Sequence, residues 1–264
     1  MKFPTKSIEG VNQDPRKFLL LAQTKIGKTE LCSKLPNSLM IDLDDSADFY
    51  GGMFMNISDI RKELSKEKGK EITNLQAYVY VVNKLKEAVI NEEVSYDYLV
   101  LDNTTRLEDL AKDLALIKYK ATPMGKSFTG TDIYTLDRGA GYGWVRNAFS
   151  ELYDMLLGCY NRGLILIAHV KDASVIKDGK EITAQDINLT GKLSIITAAD
   201  MDAIGIMHRA KDGNNNILSF KTTERNVSLG SRCAHLSNTE FIISTKNEDG
   251  TLSTNWELVY QNLK

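Results

Sequence analysis

The sequence predicts an α/β domain: a mainly parallel sheet flanked by helices, with a C-terminal β-hairpin. Three observations predict it. Short apolar strands recur along the chain, several of them end in a polar residue, and amphipathic helical stretches lie between them. The first strand, Phe18–Ala22, runs into a polar loop and then Gly27-Lys28-Thr29, with a helix starting at Glu30 and Leu31. Strand, loop and helix in that order are the setting of a phosphate-binding loop.

The chemistry of such a loop selects its residue types. A loop that opens a helix aims free N–H groups at one point, and the helix dipole favours an anion there. Gly27 lets the backbone approach a phosphate with no Cβ between them. Lys28 reaches the β- and γ-phosphate oxygens, and the Thr29 hydroxyl is placed to ligate Mg²⁺. Gln23, Thr24, Lys25, Ile26, Gly27, Lys28, Thr29 and Glu30 are the candidate nucleotide contacts. Ala22 stands where the loop pattern has its first glycine, a small loss if the backbone there keeps a negative φ.

The chain has 264 residues, 42% of them hydrophobic and 26% charged, enough for one α/β domain or a domain with a small appendage. The net charge of −2 excludes a global positive field, so any nucleic-acid contact must come from local patches. Cys32, Cys159 and Cys233 are far apart, without metal-ligand spacing, and read as free thiols of a reducing compartment. The start lacks an apolar signal core and no apolar run is long enough to span a bilayer, so a cytoplasmic, membrane-independent protein is expected.

After a polar arm, residues 1–15, the phosphate-loop helix runs from about Lys28 to Leu35 and stops at Pro36-Asn37. A second strand, 38–45, ends in Asp42, Asp44 and Asp45, at the sheet edge where ligands bind. A carboxylate there can orient or deprotonate an attacking water, and a solvated acidic turn is the other reading. In 57–95, Leu75, Val79, Val82, Leu85, Val89 and Ile90 mark a helix face, and the Lys/Glu-rich piece 62–71 reads as an exposed loop or helix end.

The strand within 96–105 ends in Asp102, which reads as the Mg²⁺-holding acid across from Thr29. Asn103 follows it, so a water-activating acid must come from elsewhere. Residues 106–120 form an amphipathic helix. The glycine-rich segment 121–143 has no helical or strand period and reads as a long loop. Its cations, with neighbours Lys118 and Arg146, interleave with Tyr119, Phe128, Tyr134, Tyr142 and Trp144, a mixture that suits single-stranded nucleic acid or a surface loop with anchoring aromatics. A helix over 144–160 precedes a third central strand, 163–170, that ends in His169. Residues 171–192 read as the next loop, 193–199 as a helix, 201–208 as a strand, and 217–223 as its hairpin partner. The tail carries one more strand-like run and Trp256.

This order of parts resembles the RecA-type ATPase core, and more narrowly the short RecA-like ATPases of phages, some of which act in single-strand annealing and recombination. The resemblance covers about residues 16–236, leaving 237–264 as a C-terminal extension packed on the core. It implies ATP and Mg²⁺ as cofactors, and a sheet in which the His169 strand separates the phosphate-loop strand from the Asp102 strand. It implies Lys28, Asp44 and His169 as catalytic residues, with Asp44 in the place of the family's usual glutamate and His169 as the polar sensor. Thr29 and Asp102 hold the metal, and Lys221 and Arg225 reach across a subunit boundary. The two DNA-facing loops would be 121–143 and 171–191, with Lys126, Arg138, Lys171 and Lys177 as contacts. The partners implied are single-stranded DNA, further copies of the chain in a ring or filament, and phage single-strand-binding or replication proteins. The aspartate at 44 shortens the reach of the base. A nucleotide-binding switch or structural phage protein with little turnover is therefore the alternative.

Overall fold

The computed structural model describes residues 13–177, 180–223 and 228–263, with the side chains of residues 175–177, 180 and 182 outside that description. Arg225, the Lys177 side chain and residues 1–12 of the arm thus lie outside the described residues.

The sheet is centred on β1 (Lys17–Ala22), whose last five residues are all buried. On one side β1 pairs with β5 (Gly163–Lys177), followed by β4 (Tyr98–Asp102), β2 (Ser38–Asp42) and β3 (Met53–Asn56), every pairing parallel. On the other side it pairs in parallel with β7 (Ala203–Arg209). Antiparallel strands then continue the sheet: β8 (Asn215–Ser219), β10 (Glu240–Lys246) and β11 (Leu252–Thr254). A short β9 (Gly230–Ser231) flanks the start of β7, and β6 (Lys180–Ile187) folds back on the end of β5. The sheet is therefore mixed rather than mainly parallel. Short turns join β7 to β8 and β10 to β11, and only antiparallel neighbours can be joined that way. The expected separation of the phosphate-loop strand from the Asp102 strand by the His169 strand is the order observed.

Alternation along β1 feeds two cores. Leu19 and Leu21 face a cluster with α3 (Asn74–Ile90), α4 (Thr104–Ala121) and α5 (Ala140–Asp154), through Tyr78, Val82, Leu107, Ala111, Phe149 and Leu152. Phe18, Leu20 and Ala22 face the opposite cluster, with Leu31 and Cys32 of α1 (Lys28–Ser33) and the C-terminal Trp256, Val259 and Tyr260. The Trp256 indole donates to the Leu31 carbonyl at 3.0 Å, so the C-terminal segment backs the phosphate-loop helix directly. The region 57–95 holds two helices, α2 (Ile57–Lys68) and α3, the latter opened by a reciprocal Thr73–Gln76 capping box. Among the described residues no helix is long and apolar enough to cross a membrane.

Two expected loops are corrected. Residues 171–177 continue β5 and 180–187 return as β6, a two-stranded ribbon in register from Val170–Ile187 to Lys177–Lys180. Charges of both signs hide it in the sequence, and its buried apolar residues, Ala184 and Ile187, are too few to make a clear alternation. Segment 121–143 contains short 3-10 turns, and α5 starts at Ala140, four residues ahead of the expected Trp144. The first turn of α5 needs a glycine at 141 because the Ile133 backbone packs against it: a Cβ there would lie 2.0 Å from the Ile133 carbonyl oxygen. The aromatics of this segment contact one another, with ring centroids 5.5 Å apart for Tyr119–Phe128, 5.7 Å for Tyr119–Trp144 and 4.7 Å for Tyr134–Tyr142. A final helix, α6 (Leu193–Asp200), leads into β7.

Candidate functional site: the phosphate loop and the strand ends around it

Parallel strands ending at one edge bring distant residues together. Ala22 lies beside His169 in register, Asp102 beside Ile167, and Asp42 beside Asp102. Ala22 is regular extended strand rather than a left-handed turn, so an alanine is tolerated where the loop pattern has glycine. The left-handed positions fall instead on Lys25 (φ 60°) and on Gly27 (φ 98°), which caps α1.

Lys28, almost fully buried, folds back over the loop. Its Nζ donates to the carbonyls of Gln23 (2.7 Å) and Ala22 (3.3 Å) and lies 3.3 Å from His169 Nδ1. Burial holds its ammonium below the ordinary lysine value, against the opposing pull of Asp102. His169 is likewise held below its ordinary value, first by burial and then by the Lys28 charge.

Across the loop, the Thr29 hydroxyl donates to Asp102 Oδ2 at 2.5 Å, and Ser46 Oγ lies 3.2 Å from the same hydroxyl and 3.4 Å from the same carboxylate oxygen. Burial pushes the Asp102 carboxyl up to about 6, the Thr29 hydrogen bond opposing. Three hard oxygen donors at one point suit Mg²⁺. Among the described residues no group of three or more His, Cys, Asp and Glu side chains forms a metal cage.

Behind this pair, buried Asp42 accepts the backbone N–H of Asp44 (2.9 Å) and of Ala47 (2.8 Å), which shapes the turn after β2. That turn presents Asp44. Asp44 Oδ2 accepts from Asn103 Nδ2 at 3.3 Å and Oδ1 from Arg106 Nε at 2.8 Å, while Asn103 Nδ2 lies 3.5 Å from His169 Nε2. Polar contacts thus run from Lys28 through His169 and Asn103 to Asp44.

Gln23, Thr24 and Lys25 are exposed on the rim, while Ile26, Gly27 and Glu30 are half-buried. Beside them lies a cavity of about 220 Å³ between the loop and the β7–β8 and β10–β11 turns, lined by Lys25, Ile26, Tyr50, Arg209, Asn216 and Lys246. Asn216 is 6% exposed. Its Nδ2 donates to Ser244 Oγ at 3.0 Å, and its Oδ1 has no partner.

The structure does not bring every candidate here. Lys221 lies beyond β8, which runs away from the loop edge, and pairs with Glu240 at 3.4 Å. Lys126 and Arg138 are exposed on segment 121–143, and Lys171 donates its ammonium to the Leu189 carbonyl at the foot of the ribbon. Buried Glu108 joins that segment to the ribbon's foot, accepting Tyr134 OH at 2.9 Å and Thr190 N–H at 3.0 Å. Ser46, Arg106 and Asn216 are additions that sequence reasoning missed. Only Arg106 carries a local signal, three residues after the helix-capping Asn103, which accepts its N–H at 3.1 Å.

The search of curated proteins returns no match. Among solved structures, one described as the crystal structure of the RadB recombinase is similar at 11% identity and a TM-score of 0.38, the alignment covering 92% of each chain. The fold is that of an α/β P-loop NTPase, with a mixed sheet and flanking helices. Residues 14–233 match the family model described as an AAA domain, and the chain belongs to that family.

Proposed function

We propose that this protein binds and hydrolyses ATP with Mg²⁺, as a RecA-like ATPase acting on single-stranded DNA in phage recombination or replication. The observation that carries the ATPase reading is the convergence of Lys28, the Thr29–Asp102 pair, Asp44 and His169 at one strand edge. Thr29 and Asp102, with Ser46 near both, would hold the magnesium ion, which supplies charge neutralisation on the phosphates. Lys28 exchanges its loop carbonyls for phosphate oxygens. Asp44 faces the water side of the network, and His169 joins it to the β5–β6 ribbon, which begins at the next residue. The cavity beside the loop receives the nucleoside. Its cations Lys25, Arg209 and Lys246 face any anion there, and the Asn216 side chain forms part of its wall.

The DNA part of the reading is supported by the ribbon and by segment 121–143, both near His169's end of the sheet. The phage setting is supported by the resemblance alone. A second reading, a nucleotide-dependent switch with little turnover, is favoured by one observation: both Asp44 oxygens are already engaged.

The test is phosphate release from ATP and Mg²⁺, with and without a single-stranded oligonucleotide, beside binding of a fluorescent ATP analogue. Lys28→Ala should lower turnover by about 100-fold or more. Tight binding without phosphate release under either condition would select the switch. No binding at all would end both readings.

A further inference from the structure

Asp44 is one methylene shorter than a glutamate, and it sits in a turn rather than in a strand. Its main chain is nevertheless held from two sides, by Asp42 Oδ1 on its own N–H at 2.9 Å and by the Asp102 carbonyl on the Leu43 N–H at 2.6 Å. Its carboxylate is held from two further sides, by Asn103 and by Arg106. The Asn103 amide is oriented by its second task, since Oδ1 caps α4 by accepting Arg106 N–H and Nδ2 is left for Asp44. Arg106 is steered in turn by Asp109, one helical turn on, at 3.6 Å from Nη1. The Arg106–Asp44 contact is a charge-assisted bond of 2.8 Å between groups 62 residues apart. It lies at the solvent edge, with the arginine side chain 56% exposed, where an ion pair adds little to folding stability.

We propose that Arg106 is a positioning residue for ATP hydrolysis: it holds the short Asp44 carboxylate at the place from which it acts on the attacking water. This rests on the reading of Asp44 as the water-facing acid. Arg106 fixes one carboxylate oxygen and Asn103 the other, so rotation about the Asp44 side-chain bonds is suppressed while each oxygen keeps a second lone pair for a water. A misplaced base costs rate rather than affinity.

Steady-state ATP hydrolysis by the full chain, with Mg²⁺ and a single-stranded oligonucleotide, tests this with four variants. Arg106→Ala should lower kcat about 10-fold and leave KM for ATP and thermal stability near wild type. Arg106→Lys should recover part of the loss, because it keeps the charge without the planar fork. Asp44→Asn should be slower still, and the double variant Asp44→Asn with Arg106→Ala no slower than Asp44→Asn alone. Wild-type kcat in Arg106→Ala, a change confined to KM, or losses that multiply in the double variant would overturn the proposal while leaving the ATPase reading in place. Wild-type kcat in Asp44→Asn, or no turnover by the wild type, would overturn that underlying reading and this proposal with it.

Discussion

Thr29 and Asp102, 73 residues apart, meet through one hydrogen bond of 2.5 Å between the first turn of α1 and the end of β4. The bond ties the phosphate loop to a strand two places away in the sheet. It also leaves a carboxylate almost fully buried, with a raised proton affinity and the Thr29 and Ser46 hydroxyls beside it.

A pH dependence follows. The Asp102 carboxyl titrates near 3.8 when unfolded and is pushed up to about 6 when folded. Between those values the folded state binds more protons, so stability falls as pH rises through the window. The cost is absent below about pH 4 and complete above about pH 6, at most about 3 kcal/mol. Asp102→Asn should therefore unfold at higher urea than wild type at pH 8 without nucleotide, and the advantage should vanish near pH 4. The same variant should lose Mg²⁺-dependent ATP binding. A wild type as stable as Asp102→Asn at pH 8 would show that the buried carboxylate is better compensated than its contacts indicate.

Asn216 should distinguish the nucleoside from the phosphates. Asn216→Ala is expected to weaken Mg-ATP binding about 10-fold and to leave inorganic triphosphate unaffected, as read by calorimetric titration. An equal loss for both ligands would place the amide against the phosphate chain instead.

Nucleic-acid binding through segment 121–143 should be electrostatic. Lys126→Ala and Arg138→Ala are each expected to flatten the salt dependence of single-stranded DNA binding, reducing the log–log slope by about 0.7 for each phosphate no longer neutralised. Slopes equal to wild type in both variants would remove these two cations from the interface.

Trp256 should matter to folding and to the loop together. Trp256→Phe keeps an aromatic ring and removes the donor to the Leu31 carbonyl, at a cost of about 1–3 kcal/mol for the stranded acceptor. Trp256→Ala should cost about 3–5 kcal/mol. Urea unfolding measures both, and a Trp256→Phe variant as stable as wild type would show that water replaces the indole.

The parts legible in the sequence are those whose cause is local. Phe18–Ala22, Tyr98–Asp102 and Gly163–Val170 are central strands, so each reads as an unbroken apolar run, the last two with a polar residue, Asp102 or His169, at the working end. Lys28 and Thr29 follow from the loop's spacing. β3 escapes because Met53–Asn56 is a short edge strand after two glycines, with Met53 exposed and no alternation. The ribbon escapes because only its foot, at Val170 and Ile187, meets the core, while its charged outer residues pair with each other. Arg106, Ser46 and Asn216 acquire their places only when α4, the turn after β2 and β8 are set against the loop, and no spacing along the chain encodes those distances. The aromatics of 121–143 are visible as residues, but their ring-on-ring partners are decided by the turns between them.

Glu108 gives the molecule a mechanical property. One buried carboxylate clasps the aromatic segment through Tyr134 and the root of the ribbon through Thr190, so neither can shift far without dragging the other. On the proposed single-stranded DNA reading, a strand touching both would meet two segments tied through one carboxylate, one of them the ribbon that leaves the sheet just after His169.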